Sequence, residues 1–437
     1  MDFAIAAVVF LVLGLAVLTG LGQTVTREER SWVVRLLVAA FLLRMLFATM
    51  FAAFPETRVF HEDADGYEYM GQLLAAQWGG HAPPTPFTTH MNQNYGFTYL
   101  CGAVYYILSA RVAPSYLNCL LGTVVVFAIY RLTRRFFIVP VAKRAALLCA
   151  FFPSMVLWSA MTLKDTSVTF LIVLSLWSCI AMKDRFSVWS FLGIILPIAA
   201  IQPIRFYMIY FVGFAVVASL LFERGAKALS GMPKQIIIIG AAVGLLTFVG
   251  VMGAAEEGTS VMSFEKVSSF RQGMASTAKS GFSADVDIST PGKALAFMPI
   301  GVTMLLFSPF PWQFTSLRAA LAAPEMFLWW ALVPALYRGL RFAIRRRLAE
   351  TSPILLFSLV LTLAYSLVHG NIGSGFRQRA QILVFLFIFT SVGVFLKRAK
   401  QAGLSEEVVL AGQRSATATP AKVPAAPNAA LATRSGA

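Results

Sequence analysis

Apolar runs recur along the whole chain, and short polar segments rich in arginine and lysine separate them. Because about 20 apolar residues are needed for a helix to cross the hydrocarbon core of a bilayer, each run predicts a transmembrane helix. The pattern therefore predicts an all-α polytopic membrane protein with about eleven spans. These predicted spans cover residues 3–21, 32–54, 114–132, 142–160, 166–182, 188–203, 206–222, 235–253, 324–340, 354–368 and 382–396.

Two further apolar stretches, residues 96–110 and 294–310, are predicted not to cross the membrane. Lysine and arginine are concentrated on the cytoplasmic side of membrane proteins. If residues 96–110 crossed, the cluster of Arg131, Arg134 and Arg135 would lie outside. We therefore expect residues 96–110 to form an interfacial or re-entrant helix on the outer face, and residues 294–310 to form an interfacial helix there, within two outer segments. Those segments are residues 55–114 and residues 254–323.

Composition supports membrane residence and decides how the basic charge is interpreted. Of the 437 residues, 58% are hydrophobic and 13% are charged, and the mean hydropathy is +0.73. Soluble domains have about 25% charged residues. The net charge of +16 would suggest nucleic-acid binding in a soluble protein, but here the cations lie in short segments between apolar runs. We expect membrane lipids and no nucleic acid as partners, and a multi-pass protein of a bacterial inner membrane.

The chain is predicted to form a single transmembrane domain followed by a tail. Residues 1–400 contain all predicted spans, and the two outer segments are too short and too apolar to form a soluble domain. The tail covers residues 401–437, and from about residue 412 onward it is rich in alanine, proline, serine and threonine and has no periodic pattern. Such composition is typical of disorder, so we expect a disordered cytoplasmic tail.

Some unusual residues have a structural explanation. The four cysteines, Cys101, Cys119, Cys149 and Cys179, are far apart, and three of them lie in apolar runs. They have neither metal-ligand spacing nor the pattern of a disulfide framework, so we expect small buried side chains. Arg44 lies in the middle of the second predicted span, where we expect a buried structural pairing.

The remaining unusual polar residues all fall on the predicted outer face. Ionisable residues at membrane depth are costly and are a functional hypothesis by default. A carboxylate beside a hydroxyl can act as a general base, and arginines bind phosphate and stabilise its developing charge. Together they predict transfer of a sugar from a lipid phosphate to a hydroxyl. The candidates are Glu62, Asp63 and Asp65 in the first outer loop, the pair Lys164 and Asp165, the turn residues Gln202 and Arg205, and His369, Arg377 and Arg379 before the last span.

Each candidate also has a structural alternative. Asp63 and Asp65 could cap a helix in a solvated loop, and Lys164 with Asp165 could be an ion pair at a helix start. Arg205 could extend to the interface. The two arginines of the last turn, Arg377 and Arg379, could be juxtamembrane charges, and His369 could be a satisfied histidine at a helix end. Because residues 377 and 379 are two positions apart, we expect at most one of these arginines to reach a phosphate.

Three motifs resemble the GT-C class of membrane glycosyltransferases, particularly its glycosyltransferase family 39-like branch of protein O-mannosyltransferases and aminoarabinose transferases. Their order and spacing carry the resemblance, which covers about residues 30–185. The first motif is the acidic pair Asp63 and Asp65 with Tyr69 and Leu73 following in a D-x-x-x-Y-x-x-x-L pattern. The others are residues 116–136, ending in Tyr130-Arg131-Leu132-Thr133-Arg134-Arg135-Phe136, and residues 152–159, leading into Lys164-Asp165.

The resemblance implies a polyprenyl-phosphate-linked sugar donor, an inverting transfer and an acidic base in the first outer loop. On this basis Asp65 is the first candidate base and Asp63 the second. The acceptor is expected to be a glycan, a lipid or a protein in cell-envelope or exopolysaccharide assembly. The Asp-x-Asp spacing leaves a divalent metal, Mg²⁺ or Mn²⁺, open. The expected donor-phosphate ligands are Arg205, Arg377, Arg379 and Lys164, with support from Asp165, Glu62, Tyr69, Gln202 and His369.

Two other classes of protein remain as alternatives. A polysaccharide polymerase or O-antigen ligase-like enzyme would use similar arginines and a large outer loop between late spans, for which residues 254–323 are the candidate. A non-enzymatic flippase or transporter of lipid-linked sugars would have charges buried in its spans and inverted repeats. The sequence has one such charge, Arg44, and no evident repeat.

Overall fold

The computed structural model of the protein describes residues 2–54, 62–83, 95–221, 264–278, 280–314 and 317–403. Within these ranges the fold is all helical, and its β-structure is limited to an isolated bridge between Gly281 and Asn371. The α-helices are α1 (Asp2–Gln23), α2 (Arg27–Ala53), α3 (Glu62–Trp78), α4 (Gly96–Ile107), α5 (Ala113–Phe136), α6 (Val139–Phe151), α7 (Pro153–Ser159), α8 (Lys164–Asp184), α9 (Val188–Arg205), α10 (Met208–Leu221), α11 (Phe264–Thr277), α12 (Pro291–Phe307), α13 (Leu317–Arg346), α14 (Leu348–Val368), α15 (Ile372–Gln378) and α16 (Ala380–Gln401).

Among the described residues, eight helices are long and apolar enough to cross a membrane. They are α1, α2, α5, α8, α9, α13, α14 and α16. The bent pair of α6 and α7 makes nine if it counts as one span. The predicted fold class, an all-α multi-pass membrane protein, is confirmed. The predicted span at residues 235–253 and the tail beyond residue 403 lie outside the described residues.

The fourth predicted span, residues 142–160, is not one straight helix. It is divided into α6 and α7, whose axes differ by 53°. The break lies at Phe152, which has φ −64° and ψ 128°, and Pro153 begins α7. A residue before proline is disfavoured in the helical region, and proline has no amide hydrogen to continue the helix. The local sequence therefore explains the break.

Three of the apolar helices are short. The predicted interfacial helix at residues 96–110 is α4, and its 12 residues reach only about 18 Å at 1.5 Å per residue. This length is well below the roughly 30 Å of a hydrocarbon core, so α4 alone cannot cross it. The other predicted interfacial stretch, residues 294–310, corresponds to α12 with 17 residues, and the predicted span at residues 206–222 corresponds to α10 with 14.

The core lies around α5, α8 and α16, whose apolar segments are mostly buried within the protein. The exposed apolar faces of the outer helices, such as α1, fit contact with lipid. Helices α13 and α16 approach closely through two glycines. A Cβ on Gly339 would lie 1.7 Å from the Phe389 carbonyl oxygen, and one on Gly393 would lie 1.8 Å from that of Ala335. Small residues permit this backbone contact between membrane helices.

The residues with predicted structural roles lie in this core. All four cysteines are free and buried, as predicted. Arg44 is also buried, at 1% exposure, but backbone carbonyls are its hydrogen-bond partners. Its guanidinium donates to the Ala150 oxygen at 2.9 Å and to the Cys149 oxygen at 3.1 Å, at the end of α6. Arg44 therefore binds the carbonyls that the break at Phe152 leaves without helical partners.

Candidate functional site

Asp165 is a carboxylate buried at the start of a helix. It lies in the first turn of α8 and is 2% exposed. Its Oδ1 accepts a hydrogen bond from the Arg205 guanidinium at 2.8 Å and from the Gln381 amide at 3.4 Å. Its Oδ2 lies 3.2 Å from Nε of Arg377 in an ion pair. The helix N-terminus adds a further favourable potential for a negative charge.

Arg377 connects this buried carboxylate to the first outer segment. Nη1 of its guanidinium donates to Oδ2 of Asp63 at 2.5 Å, and the Asp63 side chain is 55% exposed. Burial alone would lower the pKa of Arg377, but the adjacent Asp165 and Asp63 carboxylates raise this pKa above its usual value. Arg377 is therefore a fixed cation with one buried and one accessible anionic partner. We call Asp63, Asp165, Arg205, Arg377 and Gln381 the Asp165 cluster.

Arg205 is the second arginine that contacts Asp165. It lies at the end of α9 and is 2% exposed. Besides Asp165, it approaches the Tyr365 hydroxyl at 3.4 Å, and its guanidinium carbon lies 6.0 Å from the centre of the Tyr207 ring. The Tyr365 hydroxyl in turn donates to Gln381 at 2.9 Å. This network holds Arg205 against Asp165 on the side of the cluster that faces the protein interior.

The cluster brings together five helices. Asp63 and Asp165 lie in the first turns of α3 and α8, and Arg205 ends α9. Arg377 is in the short helix α15, and Gln381 is in the first turn of α16. Helix α15 is oriented partly by its own N-cap, because the Asn371 side chain accepts a hydrogen bond from the Gly373 amide at 2.8 Å. These helix ends lie at the same end of the bundle, which the charge pattern predicts to be the outer one.

Asp65, the first candidate base, lies in a different group. It pairs with Arg111 at 3.1 Å, and Arg111 also donates to Glu68 at 2.5 Å. Glu68 is 8% exposed and accepts a further hydrogen bond from Thr162 at 3.2 Å. The structure thus separates the two acidic residues of the motif: Asp63 contacts the cations of the cluster, and Asp65 contacts Arg111.

Arg379 does not join the Asp165 cluster. It is fully buried and pairs with buried Glu325 at 3.0 Å, and it donates to the Ser308 carbonyl at 2.8 Å. The second carboxylate oxygen of Glu325 accepts the backbone amide of Ser154 at 2.6 Å. This pair connects α16, α13 and α7 in the interior. Arg377 and Arg379, two positions apart, therefore have different partners.

The other predicted site residues differ in their surroundings. Lys164 is half-buried at the start of α8, next to Asp165, and Gln202 is half-buried one turn before Arg205. Tyr69 is 68% exposed on α3. Glu62 begins α3, and its side chain lies outside the described residues.

His369 is buried beside the cluster, and its ring packs against Tyr365 with ring centres 4.9 Å apart. Burial, together with the positive charges of Arg205 and Arg377, lowers the pKa of His369 to about 4. The imidazole is therefore neutral at physiological pH. It contributes a neutral polar ring, and no additional positive charge, to this end of the bundle.

Several residues of this region were missed by sequence reasoning. Gln381 was detectable as a polar residue directly before the last predicted span. Arg111 was detectable as an outer cation directly after the apolar stretch of residues 96–110. Tyr67 is held by an edge-on contact with Phe97, with ring centres 5.1 Å apart. Burial, with the charges of Asp165 and Asp63, raises the pKa of Tyr67 to about 12, so its hydroxyl stays protonated.

A divalent metal does not fit the described part of this site. Within the described residues, no group of three His, Cys, Asp or Glu side chains converges in a way that could hold a metal ion. Both carboxylates of the cluster are already paired with Arg377, whose positive charge opposes a second cation at the same place. The arrangement instead suits an anion that competes with Asp63 for Arg377.

No family model and no curated protein matches the chain. Solved structures of an oligosaccharyltransferase from Archaeoglobus fulgidus are similar to it. The apo form has a TM-score of 0.46 and 14% identity, over 87% of this chain and 53% of that one. The complex of this enzyme, AglB, with an inhibitory peptide and a dolichol-phosphate has a TM-score of 0.46 and 15% identity, over 87% and 53%. The form tethered to an acceptor peptide has a TM-score of 0.45 and 17% identity, over 86% and 51%. The chain spans about half the length of these structures.

Proposed function

We propose that this chain is a membrane glycosyltransferase of the GT-C class, which transfers a sugar from a polyprenyl-phosphate carrier to an acceptor hydroxyl. The observation that carries the proposal is Arg377, a cation that contacts the accessible Asp63 and is anchored by the buried Asp165. The proposed setting is the outer face of a bacterial inner membrane, with a glycan, lipid or protein acceptor.

The donor phosphate is proposed to bind Arg377 by displacing Asp63. A phosphate ester offers Arg377 the same kind of paired hydrogen bonds that a carboxylate does. Lys164, half-buried beside Asp165, supplies a second cation at the same end of the bundle. The negative charge that develops on the leaving phosphate would then be stabilised by fixed cations, which require little reorganisation during the reaction.

Asp63 is proposed as the general base. Once the phosphate occupies Arg377, the Asp63 carboxylate is free to accept the proton of the acceptor hydroxyl. The acceptor oxygen forms a bond to the anomeric carbon, the bond from that carbon to the phosphate oxygen breaks, and its electron pair remains on the phosphate. An attack opposite the leaving group inverts the anomeric configuration, as the resemblance to the GT-C class implies.

Arg205 and Asp165 are proposed as positioning residues. Both are about 2% exposed and their polar atoms contact each other, so neither presents a free face to a donor. Asp165 fixes the Nε side of Arg377 and leaves the outer side of its guanidinium for Asp63 or the phosphate. Arg205 holds Asp165 in place through their ion pair at 2.8 Å.

The remaining candidates receive different roles in this proposal. Arg379 is assigned to interior packing with Glu325, and Asp65 to the Arg111 group. His369, as a neutral ring beside Tyr365, is assigned to support of the cluster. Gln202 lies one turn from Arg205 and supports the same end of α9. Glu62 and Tyr69, on α3 with Asp63, remain candidates for acceptor contacts.

The test is mass spectrometry of lipid-linked sugars and envelope glycans in cells that carry wild type, Asp63→Asn, Asp65→Asn or Arg377→Ala. Loss of a general base reduces turnover by about 100- to 10,000-fold. Asp63→Asn and Arg377→Ala should therefore lose the glycan product and accumulate the sugar-loaded carrier. Asp65→Asn is the matched control, since it removes the same charge two residues away on α3.

A full glycan profile in Asp63→Asn would show that this residue is not the base. If Arg377→Ala also preserved the profile, the proposed function itself would be wrong. Membrane levels of each variant, measured on the same cells, separate loss of activity from loss of protein.

The polymerase or ligase alternative is supported by one observation. The second outer segment contacts the loop that precedes Arg377, because the Phe282 amide donates to the Gly370 carbonyl at 2.9 Å and the Ile372 amide to the Ser280 carbonyl at 3.0 Å. The carrier that accumulates in Arg377→Ala discriminates the two functions. A single sugar on a polyprenyl monophosphate favours the glycosyltransferase, whereas an oligosaccharide on a polyprenyl diphosphate favours the polymerase or ligase.

A further inference from the structure

A second polar site lies at the opposite end of the bundle from the Asp165 cluster. Here the start of α2, the last turns of α5 and the end of α8 enclose a cavity of about 350 Å³. Ile180 lines it, and Asp165 lies fifteen residues earlier on α8, a distance of about 22 Å at 1.5 Å per residue. The charge pattern predicts that this end faces the cytoplasm.

Three arginines of α5, Arg131, Arg134 and Arg135, line the cavity together with one carboxylate, that of Glu29. Glu29 is mostly buried and already has two donors, the Tyr130 hydroxyl at 2.5 Å and Nε of Arg134 at 3.0 Å. It therefore compensates one of the three cations. The cavity keeps an excess of positive charge.

The other two arginines are less completely neutralised. Arg135 pairs with Asp184, but the Asp184 side chain is 70% exposed, so water competes for this ion pair. Arg131 donates to the Thr24 carbonyl at 2.7 Å and lies 5.9 Å from the centre of the Trp177 ring. Within the described residues, no carboxylate lies in ion-pair distance of Arg131. Arg131 is thus held in place by neutral groups and retains its charge for a ligand.

The walls of the cavity indicate the class of ligand. Trp177, Leu132 and Val25 provide apolar surface beside the guanidinium groups. Arginine matches the oxygens of a phosphate with paired hydrogen bonds, and basic pockets between transmembrane helices on the cytoplasmic side bind anionic lipid headgroups. We propose that this cavity binds a phosphate ester, either the headgroup of an anionic phospholipid or a soluble phosphate ester, with Arg131 as its main ligand.

This site differs from the ordinary excess of arginine on the cytoplasmic side. Arg345 and Arg346, at the end of α13, are exposed at the surface. By contrast, Arg134 and Arg135 have side chains only 23% and 26% exposed and share one cavity with Arg131. Partial burial strengthens their interaction with an anion, because screening by water is reduced.

The test is binding to the purified full-length protein, depleted of lipid in detergent and measured by native mass spectrometry. The probes are phosphatidylglycerol, phosphatidylcholine and glycerol 3-phosphate. Wild type should bind phosphatidylglycerol or glycerol 3-phosphate more tightly than phosphatidylcholine, whose choline group is repelled by the arginines. Arg131→Gln should weaken this binding about tenfold, as expected for the loss of one charge-assisted contact. Arg345→Gln, which removes one cation from the same end, is the matched control.

The outcome distinguishes the two sources of phosphate. Preference for phosphatidylglycerol over glycerol 3-phosphate identifies a lipid headgroup, and comparable binding identifies a soluble ester. Equal affinities of wild type, Arg131→Gln and Arg345→Gln would overturn the proposal. If Arg131→Gln does not fold, Arg135→Gln serves as the second variant, because its partner Asp184 is exposed and water can replace the lost contact. No sugar donor is involved, so the result is independent of the proposed function.

Discussion

At the scale of single residues, Asp165 is the anion on which two arginines depend. Its carboxylate contacts both Arg205 and Arg377, and it is almost completely buried. Removal of one partner from a buried ion pair is strongly destabilising, because the other charge is left uncompensated in a medium of low polarity. Neutralising Asp63 instead removes a half-exposed partner of Arg377, and water can take the place of that carboxylate.

We therefore predict that Asp165→Asn lowers the free energy of unfolding by about 3–5 kcal/mol. Asp63→Asn should lower it by no more than about 1 kcal/mol. Thermal denaturation of the two purified variants in detergent, beside wild type, measures the difference. Equal melting temperatures for Asp165→Asn and wild type would mean that the buried carboxylate is not needed to hold the arginines.

His369 is predicted to make stability depend on pH. Burial, with the charges of Arg205 and Arg377, lowers the pKa of His369 to about 4 in the folded protein, against about 6.5 for an unfolded histidine. Between these values the unfolded chain binds more protons at this residue than the folded one. Stability from His369 is therefore complete above about pH 6.5 and is lost as the pH falls towards 4.

The measurement is the change in melting temperature between pH 7.5 and pH 5 for wild type and His369→Gln. The variant should lose less stability than wild type over this interval. His81→Gln is the control, because it removes an exposed histidine that lies outside the Asp165 cluster. A wild-type dependence retained in full by His369→Gln would assign the effect to other groups.

At the scale of helices, the break between α6 and α7 is stabilised from outside. Arg44 of α2 donates to the carbonyls of Cys149 and Ala150, which the proline after Phe152 leaves at a helix end. Arg44→Met keeps much of the apolar stem but leaves these buried acceptors unpaired, at a cost of about 1–3 kcal/mol each.

We predict a marked fall in melting temperature for Arg44→Met. Arg35→Met, at an exposed position of α2, should have little effect, and equal losses in both variants would contradict this role.

Helices were easier to predict from the sequence than the contacts between them. Apolar length and the positive-inside preference indicate α1, α2 and α5, and they identify α4 as a helix that does not cross. Helical periodicity carries no information on which polar termini meet. Asp63 and Arg377 are 314 positions apart, and their pairing depends on the packing of the whole bundle. The sequence therefore could not show that Asp63 contacts Arg377 while Asp65 contacts Arg111, or that Arg379 pairs with Glu325.

At the scale of the whole molecule, the contacts of Arg377 constrain the topology. Arg377 touches both Asp63 and Asp165, so these two residues must lie on the same side of the membrane. Between them lie α4, α5 and the bent pair of α6 and α7. If α5 and the bent pair each cross once, Asp63 and Asp165 share a side only when α4 does not cross. The short α4 and the Asp165 cluster therefore support the same topology.

Labelling of introduced cysteines tests this topology. All four native cysteines are buried, which keeps background reaction with a membrane-impermeant maleimide low. The chosen positions are His81→Cys, before α4, and Phe186→Cys, after α8, both exposed. Three crossings separate them when α4 stays on the outer face, and four when α4 spans.

We therefore predict that the thiol at position 81 reacts in intact spheroplasts and that the thiol at position 186 reacts only after permeabilisation. Labelling of both thiols from the same side would place Asp63 and Asp165 on opposite faces, and neither the Asp165 cluster nor the proposed transfer could then exist in the membrane.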